Sequence, residues 1–444
     1  MTSDPTTNLS TIDPSAVNLE HELRAGTATF AVVGLGYTGL PVARSLAFRG
    51  SSVVGIDVDD KKVNALSEHH SYIPDVTDEQ LLEVSPRFWA TTDVRAVERA
   101  DVVMVCVPTP LTADGQADLT MVRAALAHIA PYLRLGATVI LQSTVPPGTT
   151  DEEAGHLARA TGRTLGVDLF VAFCPERVDP ANAAGWDVSN TTRVVSGVTS
   201  QCLRRASAVI EYLCGGAHTV SSPIVAELAK LLENSSRLVN ISFANEFADV
   251  CRDLSVSVRE VIAAAATKPF GFQPYYPGPG VGGECIPVDP VFLLRSQRRA
   301  VVPMPLMEMA YRLALDRPAT VVDRIGQALA GRGGTLLGAR ILILGVAYKP
   351  NVDDVRNAPA WRIIRSLQEQ DVEVEYHDPF VPSLFIGGRT LRSVSLAPLE
   401  FDAYDCVVLV TNHDAFTSIE DWSAAPLVID SHGVLSRDAN VVAV

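Results

Sequence analysis

Thr29-Phe30-Ala31-Val32-Val33 runs directly into Gly34-Leu35-Gly36-Tyr37-Thr38-Gly39, and Leu40 to Phe48 then reads as a helix. Strand, GxGxxG and helix in that order make the first βα turn of a dinucleotide fold. The glycines allow a tight turn and a close approach of pyrophosphate, and the helix N-terminus faces the phosphates. The next strand, Ser52 to Ile56, ends in Asp57, placed where a carboxylate accepts from ribose hydroxyls and repels a 2′-phosphate, which favours NAD over NADP. Gly34, Gly36, Tyr37, Gly39 and Asp57 are therefore the expected cofactor contacts.

Working outward, apolar runs at Asp101–Val107 and Thr138–Gln142 predict two more strands, ending in Pro108-Thr109-Pro110 and in Ser143-Thr144-Val145-Pro146-Pro147-Gly148-Thr149. Leu169–Phe173 predicts another and leads into Cys174-Pro175-Glu176-Arg177. In an open α/β sheet, ligands bind at the carboxyl ends of strands. Pro108, Thr109, Ser143 and Thr144 are thus placed to orient a nicotinamide, a substrate or a water, and Glu176 presents a carboxylate at the same edge.

From Ser222-Pro223 the pattern changes to a long helical stretch continuing toward Ala266, with Ser222 suited to cap it and Pro223 to open it. Lys230, Asn234 and Arg237 recur at i, i+4 and i+7 on one face, as a functional row or a solvated stripe. The chain has five lysines, Lys61, Lys62, Lys230, Lys268 and Lys349, against 31 arginines. Lys61 and Lys62 read as surface charge. A lysine kept in such company suggests a site for a compact charge or for proton loss.

The run Pro277 to Pro290, PGPGVGGECIPVDP, carries Cys285 with Asp289 four residues on. Its prolines stiffen the segment, and glycines 278, 280, 282 and 283 would let backbone N–H groups approach a ligand, so the thiol is delivered on a preset chain. After Pro318 come an amphipathic helix, a strand at Arg340–Leu344 and the loop Gly345-Val-Ala-Tyr348-Lys349-Pro-Asn-Val-Asp353-Asp354-Val-Arg356. A helix at Trp361–Gln370 and strands ending at His377, Val410 and Ile429 complete a second α/β unit. It lacks GxGxxG, so its ligand differs, one whose phosphates or ring would need Lys349 and Arg356.

The 444 residues carry a net charge of −15 with 47% apolar and 20% charged composition, an ordinary globular balance that argues against a nucleic-acid partner. Residues 1–26 read as a flexible polar tail without a signal peptide, and no apolar stretch suits a membrane span. Seven cysteines without a CxxC pair predict reduced thiols in the cytoplasm and no metal site. The expected fold class is α/β, with two Rossmann-like doubly wound domains (27–221 and 318–444) joined by a central helical region (222–317).

Seven motifs in order, GLGYTGLP (Gly34–Pro41), VPTPL (Val107–Leu111), STVPPGT (Ser143–Thr149), PERV (Pro175–Val178), AKLLENSSR (Ala229–Arg237), GGECIPVDP (Gly282–Pro290) and GVAYKPNVDDVR (Gly345–Arg356), resemble the UDP-glucose/GDP-mannose dehydrogenase family. The resemblance implies NAD in the first domain, a nucleoside-diphosphate sugar in the last, and a homodimer that exchanges a loop across its interface. It implies a four-electron oxidation of the sugar C6 alcohol, in which a thiol captures the aldehyde and yields a thioester for water to cleave. Cys285 is then the nucleophile, and Lys230 and Asn234 stabilise the alkoxide or oxyanion. Asp289 with a water takes protons, Glu176 is the base for hydrolysis and Thr144 positions a water. The substrate-binding set is Glu176, Arg177, Lys230, Asn234, Arg237, Tyr275, Tyr276, Gly280, Gly282, Tyr348, Lys349 and Arg356.

The resemblance implies UDP- or TDP-glucose oxidised to the glucuronate, with a UDP-N-acetylhexosamine (GlcNAc or ManNAc) as the alternative. Members acting on UDP-glucose usually carry lysine before the motif aspartate, where this chain has Val288. The N-acetylhexosamine branch usually has histidine before the cysteine, where this chain has Glu284, a carboxylate that disfavours a thiolate unless paired or turned away. Two rivals differ in class. An epimerase or dehydratase would use a Tyr-x-x-x-Lys pair, and none of the ten tyrosines has lysine four residues on. A non-catalytic nucleotide-sugar-binding paralogue would not need the thiol.

Overall fold

A computed structural model describes residues 14–178, 185–295, 302–396, 401–419, 421–435 and 439–443. The chain forms two compact units, one reaching Leu232 and including Arg295, the other running from Glu233 to Leu294 and through the C-terminal portion.

The first unit is built on an eight-stranded sheet. Its strands are β1 (Thr29–Val33), β2 (Ser52–Ile56), β3 (Phe88–Thr91), β4 (Val102–Val105), β5 (Ala137–Leu141), β6 (Leu169–Phe173), β7 (Arg193–Gly197) and β8 (Ala217–Thr219). Their order is β3-β2-β1-β4-β5-β6-β7-β8, parallel except where β6 meets β7. The first six follow the dinucleotide-binding order 3-2-1-4-5-6. β4, β5 and β6 are buried along their whole length, as befits parallel strands covered on both faces.

In the second unit β9 (Arg340–Leu344), β10 (Glu373–His377), β13 (Cys406–Leu409), β14 (Val428–Asp430) and β15 (Val441–Ala443) form a parallel sheet, and β11 (Ser383–Ile386) and β12 (Arg389–Arg392) form a separate hairpin. The order β10-β9-β13-β14-β15 is the other common doubly wound arrangement, 2-1-3-4-5. Two doubly wound sheets are therefore present, as expected, in different strand orders.

Three expectations are corrected. The polar tail ends early, because Pro14–Ala25 is a helix whose Leu19 and Leu23, one turn apart, are buried in the first unit's core; residues 1–13 lie outside the described residues. The long helix is Pro223–Asp253 and does not run to Ala266, since Ser255 takes φ +57° and a second helix, Val258–Ala266, follows. The boundary drawn at 317/318 falls inside one helix, Pro305–Ala330, which carries the buried Pro318 in its interior. No helix among the described residues is long and apolar enough to cross a membrane.

Candidate active site

The glycine turn has a separate physical demand at each glycine. Gly34 takes φ +90°, and a Cβ there would lie 2.7 Å from the Cys106 carbonyl oxygen. At Gly39 a Cβ would come within 1.8 Å of the Gly34 oxygen, so the first helical turn packs on the loop without room for a side chain. Gly36 faces open space, with nothing within 4 Å of a Cβ position, which is the approach a pyrophosphate requires. Asp57, 8% exposed, accepts from the Leu35 amide at 2.8 Å and the Asp59 amide at 3.0 Å, and Lys62 pairs with it at 3.2 Å. Lys62 thus supports the cofactor edge, which corrects its reading as surface charge. These residues fit NAD, with Gly36 open to the phosphates and Asp57 fixed against the turn that would carry them.

The neighbouring loops spend their polar groups on one another. Thr109 Oγ1 donates to the Thr144 carbonyl at 2.7 Å, and Ser143 Oγ donates to the Val107 carbonyl at 2.7 Å. Both hydroxyl hydrogens expected on ligand thus tie together the loops that follow β4 and β5. Pro108 is exposed, and Tyr37 and Thr144 are half-buried. Glu227, fully buried at the start of the long helix, accepts from the Gly148 amide at 2.5 Å and the Thr150 amide at 2.8 Å, capping the helix Thr149–Thr161. Burial pushes the Glu227 carboxyl up, against the two amides.

Glu176 is fully engaged within its unit. Oε1 accepts from the amides of Arg177 and Val178, both at 2.7 Å, and Oε2 pairs with Arg193 at 2.5 Å. Arg193 is 0% exposed, and among the described residues its Nε and other terminal nitrogen have no partner. Sequence reading passed over Arg193 because a cation at the start of an apolar strand looks like an exposed end. Arg177 donates to the Thr192 carbonyl at 2.9 Å.

The row on the long helix splits. Lys230 and Asn234 are buried, 9% and 4% exposed, while Arg237 one turn on is exposed, so the first two are no solvated stripe. Asn234 Nδ2 donates to Asp289 Oδ2 at 2.6 Å, and Asp289 is itself buried at the start of the helix Asp289–Leu294. The Cys285 carbonyl accepts from the Asp289 amide at 2.8 Å, so thiol and carboxylate belong to one turn. Of the seven cysteines Cys285 alone is exposed. Burial pushes the Cys174 thiol up to about 12, as suits a packing cysteine.

The glycines before Cys285 also pack closely against their neighbours. A Cβ on Gly282 would strike Tyr348 Cβ at 2.6 Å, and one on Gly280, at φ +143°, would press on Pro318 and Pro359. Gly283, at φ +76°, donates to the Arg356 carbonyl at 2.8 Å and accepts from Asn357 Nδ2 at 3.0 Å. Upstream, the Gly278 amide donates to Asn245 Oδ1 at 2.9 Å and its carbonyl accepts from Arg317 Nε at 3.2 Å. Tyr276 is exposed beneath the Arg259 guanidinium, and Tyr275 is half-buried.

The loop carrying Tyr348, Lys349 and Arg356 is pinned from below. Asp378, at the end of β10, accepts from the Val346 and Ala347 amides and from His413 Nε2 at 3.1 Å, while His413 Nδ1 accepts from the Asn351 amide at 2.8 Å. That second contact fixes the imidazole hydrogen on Nε2. Arg356 is gripped by Asp354, at 2.6 Å, and by Glu284, at 2.7 Å. Glu284 is therefore paired.

A dinucleotide turn fitted to NAD and a second doubly wound unit of different strand order mark a two-domain NAD-dependent dehydrogenase. The chain matches the UDP-glucose/GDP-mannose dehydrogenase family in its NAD binding domain over residues 28–213, its central domain over 224–313 and its UDP binding domain over 342–437. It belongs to that family, and so is an NAD-dependent oxidoreductase of nucleotide-sugars. It is 35% identical to the UDP-N-acetyl-D-mannosamine dehydrogenase of Salmonella typhimurium over 91% of this chain and 99% of that one. With the NDP-N-acetyl-D-galactosaminuronic acid dehydrogenase of Ralstonia solanacearum the identity is 33%, over 92% and 96%. The structure of the UDP-D-ManNAc dehydrogenase of Pyrococcus horikoshii superposes with a TM-score of 0.85 at 32% identity, covering 94% of this chain and 98% of that one. These relatives favour the N-acetylhexosamine alternative over the glucose reading.

Proposed function

We propose that this chain oxidises the C6 alcohol of a UDP-N-acetylhexosamine, UDP-N-acetylmannosamine foremost, to the uronate through a thioester on Cys285. The observation that carries the chemistry is the exposed thiol set one turn before a buried carboxylate that is itself held by Asn234. The substrate rests on the names of the relatives and on Val288, buried where UDP-glucose members usually carry lysine.

Gly34, Gly36, Gly39 and Asp57 would hold NAD, which would supply the hydride acceptor for the two oxidations. The Cys285 thiolate adds to the aldehyde carbon, and its later departure from the thioester gives the carboxylate. Lys230 supplies a compact positive charge for the alkoxide. Asn234 holds Asp289 as an oriented acceptor for the alcohol proton, through a water. Glu176, held by Arg193 and by the Arg177 and Val178 amides, orients the hydrolytic water with Thr144. Arg177, Arg237, Tyr275, Tyr276, Tyr348, Lys349 and Arg356 are assigned to the nucleotide-sugar.

Phe243, Phe247 and Val250 form an exposed apolar row at helical spacing on the long helix, which supports pairing with a second copy of the chain. Seven cysteines, none in a disulfide, support a reducing, cytoplasmic compartment. The test is NADH release over UDP-N-acetylmannosamine, UDP-N-acetylglucosamine, UDP-glucose and their TDP counterparts. The highest kcat/KM is expected with UDP-N-acetylmannosamine; preference for a glucose nucleotide would overturn the substrate assignment.

A further inference from the structure

Glu284 is bonded to the cysteine assigned as nucleophile, yet its carboxylate is turned onto Arg356 at 2.7 Å and its side chain stays 50% exposed. Arg356 already has a counter-ion in Asp354, which contacts its Nε and a terminal nitrogen through both oxygens at 2.6–3.1 Å. One guanidinium between two carboxylates sums to 1 − 2 = −1, so these three side chains together are anionic, and one of them, Glu284, immediately precedes Cys285 in the chain. Nor is Glu284 needed to hold the loop there. The neighbouring Gly283 is bonded both ways to Arg356 and Asn357 backbone and side-chain atoms, so the loop stays anchored without the charge.

We infer that Glu284 is a specificity residue that discriminates the neutral C6 alcohol from the C6 carboxylate, weakening retention of the uronate product. This rests on Cys285 being the residue that engages C6. Substrate and product carry the same diphosphate and differ in charge only at C6. The alcohol, aldehyde and thioester are neutral there, and hydrolysis places a negative charge beside the anionic cluster. Paired with Asp354 alone, Arg356 would leave this region neutral and product would be held as firmly as substrate. Because Glu284 is half exposed, solvent screens the effect to about two- to fivefold in affinity.

The experiment measures binding of the alcohol and the matching uronate to the full chain by calorimetry, alongside KM for the alcohol and Ki for the uronate. The unaltered protein should bind the alcohol about two- to fivefold more tightly than the uronate. Glu284→Gln, which keeps a hydrogen bond to Arg356, should collapse that ratio toward one, and Glu284→Asp should preserve it. An unaltered protein without preference overturns the inference whether or not the glutamine variant folds. So does a glutamine variant in which both affinities move in parallel, since Glu284 would then act only on the shared nucleotide. If no nucleotide-sugar is oxidised at all, the proposed function fails and this inference falls with it; oxidation with an unmoved ratio defeats this inference alone.

Discussion

Two alanine substitutions three positions apart in the glycine turn, at Gly36 and Gly39, should have opposite consequences. At Gly39 the new methyl would sit 1.8 Å from the Gly34 carbonyl oxygen, 1.2 Å inside the 3.0 Å limit that real Cβ contacts respect (3.0 − 1.8), and the obstacle is backbone. Overpacking of that kind costs about 3 kcal/mol, the upper end of its usual range. For a unit of this size the loss lowers Tm by roughly 6–12 °C. At Gly36 nothing lies within 4 Å of the Cβ position and the backbone is not in the left-handed region. Gly36→Ala should therefore leave Tm unchanged or raise stability by about 0.4–1 kcal/mol, through a less flexible unfolded chain. Its methyl would occupy the approach path of the pyrophosphate, weakening NAD by about 1–3 kcal/mol, roughly five- to 150-fold in Kd. Thermal unfolding with and without NAD, and calorimetric titration of NAD, separate the effects. A Gly36→Ala protein that binds NAD normally, or a Gly39→Ala protein that melts like the parent, would refute the placement of cofactor on this turn.

Lys230→Ala should lower kcat by about 10²–10³-fold with a small change in Tm, and Lys230→Arg should recover little, because a forked guanidinium misplaces the charge; parallel loss of folding and activity would return Lys230 to a structural role. Asp378 is desolvated, yet the hydrogen bond from His413 and the amides of Val346 and Phe380 outweigh burial and hold its carboxyl below 3.8. A depressed carboxylate stabilises the fold above its unfolded pKa and loses that contribution as pH falls through the folded value. Acid unfolding of the second unit should therefore steepen below about pH 4, and Asp378→Ala should be less stable at neutral pH and flatter in that acid range. Phe243→Glu with Phe247→Glu should yield monomers by light scattering if the exposed helix row is where two copies pair; an unchanged dimer would move the interface elsewhere.

The legible parts of the fold were those that local pattern decides. β1, β2, β6 and β9 end where their apolar runs end, since parallel strands buried on both faces write their burial directly into sequence. The helix Pro14–Ala25 was hidden because two buried leucines among polar residues look like tail. β7 was hidden because it begins at Arg193, whose burial depends on Glu176, 17 residues away. Pro318 looked like a helix start, and only tertiary packing keeps it inside one. Residue type and spacing single out Cys285, Lys230 and Asn234, and the structure leaves the thiol exposed and Lys230 and Asn234 buried. The close packing of the glycines before Cys285 was not legible, because a glycine that admits Tyr348 and one that admits a ligand look alike in sequence.

The most direct test of the account is the count of NADH formed per nucleotide-sugar consumed, taken to completion with limiting UDP-N-acetylmannosamine and excess NAD, with the product identified by mass. A thiol that carries the aldehyde forward predicts two NADH per sugar, a uronate as the product and no aldehyde released. One NADH per sugar, with free aldehyde in solution, would contradict it.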